Sequence, residues 1–181
     1  MQNNIRESLF RPELLKRIVI YGLLTLLLGS AQCSFFPLLN IVPSTPDLIM
    51  GMLLGIILID SDKSAAVVAV AAGFFLDAIG GGAIALSPLV YCLFVLFISL
   101  FSRKMLTSFA SFALLMIPAL LYRGLATAVC MAIDRRALVP ISELFGVIGP
   151  ELLCTAIVCL PLYFAVKLCA IPLETHSKFT F

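Results

Sequence analysis

The stretch Pro46 to Leu100, PDLIMGMLLGIILIDSDKSAAVVAVAAGFFLDAIGGGAIALSPLVYCLFVLFISL, decides the fold class. It holds two apolar segments joined by a short charged loop, Asp60 to Lys63. Asp77 follows in an apolar setting, then a glycine run, then another apolar helix. Its charges are confined to turns and to Asp77, so the stretch does not read as a surface facing water.

The surrounding composition agrees. Of 181 residues, 62% are hydrophobic and 12% are charged. An ordinary soluble domain is nearer about half apolar and about a quarter charged. Apolar runs long enough to cross ~30 Å of hydrocarbon recur along the chain. The expected fold class is therefore all-α, a polytopic transmembrane helix bundle of six helices. The expected domains are an N-terminal cytoplasmic segment over 1–17, a six-helix transmembrane domain over 18–170 and a cytoplasmic tail over 171–181. The net charge of +2 is too small to suggest nucleic acid as a partner. Cys33, Cys92, Cys130, Cys154, Cys159 and Cys169 lie in apolar runs without CxxC spacing, so they read as small core residues.

The segment over 3–17 is polar with apolar Ile5, Leu9, Phe10, Leu14 and Leu15, a pattern that suits a short interfacial helix. The first span is expected over Ile18 to Leu39. Gly29-Ser30-Ala31 resembles a signal-peptide cleavage site, but the apolar run continues past it, which favours an uncleaved helix. Pro43 and Pro46 then break the chain, and Asp47 can cap the helix that follows. That second segment, Leu48 to Ile59, covers only ~18 Å, so it must be sheltered by neighbours, thin the bilayer or be re-entrant. Gly51 and Gly55 form a GxxxG pair. The third segment, Ser64 to Ile79, is rich in small residues, and Gly80 to Gly82 should end it. Further helices are expected over Ala83 to Phe101, Thr107 to Ile133 and Leu144 to Ala170. The small residues Gly51, Gly55, Ala69 and Gly73, with Pro46 and Asp47, are candidates for a partner-binding surface, because packing drives helix association in lipid.

No motif for hydrolysis or phosphate binding is present, and the one histidine, His176, sits in the polar tail. The expectation is a protein without catalysis, metal or cofactor. Three ionisable residues fall inside spans: Asp77, Arg123 and Glu151. Such residues are costly in lipid and should face the bundle interior or each other. Along helices rising ~1.5 Å per residue, all three reach the outer half of the membrane. The expectation is a buried ionic cluster in which Arg123 pairs with Asp77, with Glu151 or with both.

Pro46-Asp47 opening a short apolar helix, a polar turn, then Gly73-Phe74-x-x-Asp77 followed by glycines resembles the MreD family of rod shape-determining proteins. Gly80 and Ala85 stand where the family pattern has serine and glycine. The resemblance implies a scaffold of the bacterial inner membrane that serves lateral peptidoglycan synthesis. Its implied partners are an MreC-like bitopic protein and, through it, the MreB filament and the wall synthases of the elongation machinery. Self-association is left open. The family is also similar in fold to the substrate-binding S components of energy-coupling-factor vitamin transporters, and this supplies an alternative reading.

Charge position sets the expected topology. With six crossings and both ends in the cytoplasm, Arg6, Arg11, Lys16, Arg17, Lys63, Arg103, Lys104, Lys167 and Lys178 lie inside, against Arg135 and Arg136 outside. A cysteine at position 62 should react with an impermeant thiol reagent only after the membrane is opened. One at position 135 should react in intact cells. Labelling of position 62 from outside would refute this topology.

Overall fold

A computed structural model describes residues 12–39, 45–80, 86–103, 105–135 and 140–174. Helix α1 (Pro12–Ser30) runs through a π-helical turn (Ala31–Phe35) into the short α2 (Phe36–Leu39). Then follow α3 (Leu48–Ile59), α4 (Asp62–Gly80), α5 (Ser87–Ser102), α6 (Phe109–Arg135) and α7 (Ile141–Glu174). Among the described residues every regular element is helical. Of the interfacial helix expected over 3–17, the part before Pro12 lies outside the described residues and Pro12 to Arg17 belong to α1. Pro43, the glycines at 81 and 82, Lys104, Arg136 and the tail from 175 also lie outside the described residues.

The stretches Val19–Leu38, Phe109–Ile133 and Phe145–Ala170 are long and apolar enough to cross a membrane, and α3 and α5 are shorter apolar helices. This is compatible with a membrane protein. Prolines inside the long helices, such as Pro118 in α6, are tolerated more readily in such a setting than in water.

The helices form a closed ring around one of their number. Contacts run from α1 to α4, α4 to α5, α5 to α6, α6 to α7 and α7 back to α1, and α3 touches all five. The sequence LIMGMLLGIILI explains the central place of α3. It is apolar on every side, and a helix apolar all round is stable only when enclosed on every side. From Leu48 to Leu58 each of its residues is buried. The five surrounding helices turn outward a coat of large apolar side chains, among them Leu23, Val67, Leu96, Leu121 and Ile157. A monomeric soluble protein rarely exposes such a continuous apolar surface.

Each turn that the described residues include carries its own punctuation. The Ser61 hydroxyl accepts from the Ser64 N–H at 3.2 Å at the start of α4. The Ser108 hydroxyl does the same for Ser111 at the start of α6, also at 3.2 Å. At the far end of α3 the Arg17 guanidinium of α1 pairs with Asp60. The α3 helix therefore has an Asp47 end and an Asp60 end. The described starts of α1 and α4 lie at the Asp60 end, together with the last turns of α7.

The expectation of a partner-binding surface on Pro46, Asp47, Gly51, Gly55, Ala69 and Gly73 is corrected here: all six are buried inside the chain. Their smallness serves internal packing. A Cβ on Gly51 would press on the Cys159 Sγ of α7 and lie 2.9 Å from its Cβ. One on Gly55 would lie 3.1 Å from Val166. One on Gly73 would strike the backbone N and Cα of Pro88 and stand 2.8 Å from the Ser87 carbonyl carbon. In contrast, nothing lies within 4 Å of a Cβ on Gly22.

These contacts order four substitutions. Gly73→Ala meets backbone, which cannot step aside, and should destabilise most, by about 2–3 kcal/mol. Gly51→Ala should follow, and Gly55→Ala, against side-chain methyls, should cost less. Gly22→Ala should be neutral or stabilising by up to ~1 kcal/mol, since alanine is the better helix former. Thermal unfolding of the purified protein in detergent checks the order. A Gly73→Ala protein as stable as Gly22→Ala would contradict this packing.

Candidate functional site: a buried polar network at the start of the central helix

The site begins with a backbone requirement. The first N–H groups of a helix have no partner within it, and α3 begins in the interior, where water does not supply one. Side chains meet the need one by one. Asp47 is the N-cap, and its Oδ1 accepts from the Met50 N–H at 3.0 Å. Gln32, from the π-helical turn, accepts through Oε1 from the N–H groups of Leu48 (3.0 Å) and Ile49 (3.4 Å). The N–H of Asp47 itself donates to Thr155 Oγ1 at 3.0 Å. The Cys159 thiol donates to the Asp47 carbonyl at 3.4 Å.

Capping with a carboxylate places a charge where none is tolerated alone. The Asp47 side chain is 0% exposed. Two groups answer it. The Tyr91 hydroxyl of α5 lies 3.1 Å from both of its oxygens. The Arg123 guanidinium of α6 contributes Nη1 at 3.0 Å from Oδ2. Arg123 in turn donates from Nε to Glu151 Oε1 of α7 at 2.8 Å. The Thr127 hydroxyl, one turn beyond Arg123, donates to the two Glu151 oxygens at 3.5 and 3.3 Å. Two carboxylates and one guanidinium leave a formal charge of −1. The positive end of the α3 macrodipole, worth roughly half a unit charge, lies beside it.

The helical period explains how these residues meet. Glu151, Thr155 and Cys159 recur every fourth residue and share the face of α7 turned to α3. Arg123 and Thr127 do the same on α6. The result joins the π-helical turn, α3, α5, α6 and α7 at one level.

Of the three residues expected in an ionic cluster, the structure brings Arg123 and Glu151 together and leaves Asp77 out. Asp77 Oδ2 instead accepts from the Ser87 N–H at 3.3 Å, at the first turn of α5. The second carboxylate on Arg123 is Asp47. The reason is azimuth. Asp77 sits at the right end of its helix, but Ala69, Ala72, Gly73 and Leu76 hold the buried face of α4 and Asp77 falls at its edge. The sequence marks Asp47 as a helix cap and a partner-binding candidate, but not as a member of the ionic cluster. Gln32, Tyr91, Thr127 and Thr155 were not expected in the site. Each is a lone hydrogen-bonding side chain in an apolar helix, and that is the signal by which they could have been found.

Chemically, both carboxylates of the network are met by donors of the chain. The Asp47 oxygens receive donors from Met50, Tyr91 and Arg123, and the Glu151 oxygens from Arg123 and Thr127. Among the described residues no group of three or more His, Cys, Asp or Glu side chains could hold a metal ion. The arrangement fixes the mutual placement of the helices.

Asp47→Asn should strip Arg123 of one of its two counter-charges while Glu151 keeps the other, and weaken the buried contacts to Tyr91 and Arg123, at a cost of about 1–3 kcal/mol. Asp77→Asn keeps an oxygen for the Ser87 N–H and should cost under about 1 kcal/mol. Glu151→Gln should fall between them. Unfolding midpoints of the three purified variants check the ranking, and equal losses from Asp47→Asn and Asp77→Asn would refute it.

Comparison of the chain with models of protein families, with curated proteins and with solved structures finds no match in any of the three.

Proposed function

We propose that the chain is a non-catalytic scaffold of the bacterial inner membrane, of the MreD type, serving cell shape and lateral wall synthesis. In this reading it crosses the membrane six times with both ends in the cytoplasm, and its fold is akin to that of the S components. Its MreC-like partner docks from the lipid side, on the outward apolar faces of the ring, because the small-residue faces are consumed internally. The link to the MreB filament and the wall synthases runs through that partner.

The observation that carries this reading is the role of the motif on which the resemblance rests. Pro46-Asp47 opens the enclosed α3 and anchors the network through Asp47. Gly73 permits the approach of Pro88, and Asp77 holds the first turn of α5. The motif residues thus do architectural work, as a scaffold requires. A solute receptor needs polar groups left open to its ligand, whereas the Asp47 and Glu151 carboxylates are engaged by donors of the chain itself.

Depletion of the protein in its own bacterium tests the proposal. Rods should round up and widen while vitamin uptake stays unchanged, and a wild-type copy should restore the shape. Preserved rods with lost uptake would replace the scaffold reading with the transport one.

A further inference from the structure

Among the described residues Lys167 has no counter-charge. It lies inside the apolar stretch Phe145–Ala170 of α7, on an outward face shared with Phe164 and Leu168. No described carboxylate stands within ion-pair distance of it. Its ammonium instead lies 5.9 Å from the centroid of the Tyr163 ring. Tyr163 belongs to an aromatic shelf spanning α6 and α7. Phe109 stacks on Phe164 with centroids 5.4 Å apart at 23°, and meets Tyr163 edge-on at 5.7 Å. Phe109 is 42% exposed and Phe164 54% exposed, so the shelf opens outward.

A charged side chain on such a face is costly unless it reaches polar headgroups or finds a partner. The surroundings select the partner. The exposed neighbours Phe164 and Leu168 are apolar, which suits an acyl chain. The basic residues Lys16, Arg17 and Lys63 belong to the same Asp60 end of the bundle, where α1 borders α7. An occupant that is anionic at its head and apolar along its length matches both features.

We propose that Lys167, with the Phe109–Phe164 shelf, forms a binding site for an anionic phospholipid at the α6–α7 face. The phosphate takes the place of the missing counter-ion, and an acyl chain lies along the two stacked rings. The inference depends on the membrane setting and not on the identity of any protein partner.

The test uses the full-length protein in nanodiscs of mixed phosphatidylglycerol and phosphatidylcholine, released into a mass spectrometer under native conditions. Wild type should carry phosphatidylglycerol adducts in excess of the bulk ratio. Lys167→Gln should lower that excess on the order of fivefold, the weight of one basic side chain at an anionic surface. Lys167→Arg should keep it. Lys167 is exposed, so these variants should fold, and their unfolding midpoints verify this. Equal adducts in wild type and Lys167→Gln would overturn the proposal. So would an absence of lipid preference, or capture of Lys167 by an acidic residue of a second protein chain. Failure of the scaffold reading would show in cell shape and leave these spectra unaffected.

Discussion

A helix that starts inside an apolar bundle must find acceptors for its first N–H groups, and the rest of this structure follows from that constraint. The α3 helix is too short to reach from one aqueous face to the other, at ~1.5 Å of rise per residue. Its N-terminus is therefore enclosed, and Gln32, Asp47 and Thr155 supply what water would have supplied. Using a carboxylate as cap brings in Arg123, and Arg123 brings in Glu151. Each step satisfies a cost created by the one before.

The same sequence of needs explains the ring. Polar side chains must come from several directions to surround Asp47, and they arrive from α1's extension, α5, α6 and α7. Close approach of α7 to α3 depends on small residues at Gly51 and Gly55. The α4 helix stands apart from the network and is fixed by contact instead, through Gly73 against Pro88 and Asp77 against the Ser87 N–H. The fold thus has a polar keystone at one end of α3 and a separate ion pair, Arg17 with Asp60, at the other. Removing one partner of a buried pair leaves the other charge stranded, so such keystones are intolerant of single changes.

Much of this was legible in the sequence because apolar runs, prolines and caps leave marks at fixed positions. The bounds of α3, Leu48 to Ile59, follow from Asp47 before it and the polar turn after it. Depth along the helices offers Arg123 both Asp77 and Glu151 as partners, and of the two the structure pairs it with Glu151. What could not be read is azimuth. Depth puts Asp77 at the correct end, but only the packed bundle shows that it faces Ser87 and not Arg123. Smallness is equally ambiguous. Gly51 and Gly73 invite a close neighbour, and the sequence does not say whether that neighbour is another chain or another part of the same one. The π-helical turn that carries Gln32 to α3 has no mark in Ala31–Phe35. Helical residues must pack in three dimensions before such a local widening has a reason.

The central claim is that Asp47 and Arg123 act as one unit at the start of α3. A double-mutant cycle measures that unit directly. Asp47→Asn, Arg123→Gln and the double variant would be compared with wild type by SDS-driven unfolding of the purified protein. The double variant should lose at least ~1 kcal/mol less stability than the two single losses added together, because Arg123→Gln leaves the Asp47 carboxylate without its cation and Asp47→Asn removes one of the guanidinium's two counter-charges. Strictly additive losses would mean that the two residues contribute independently, and would contradict the network as the organising feature of the fold.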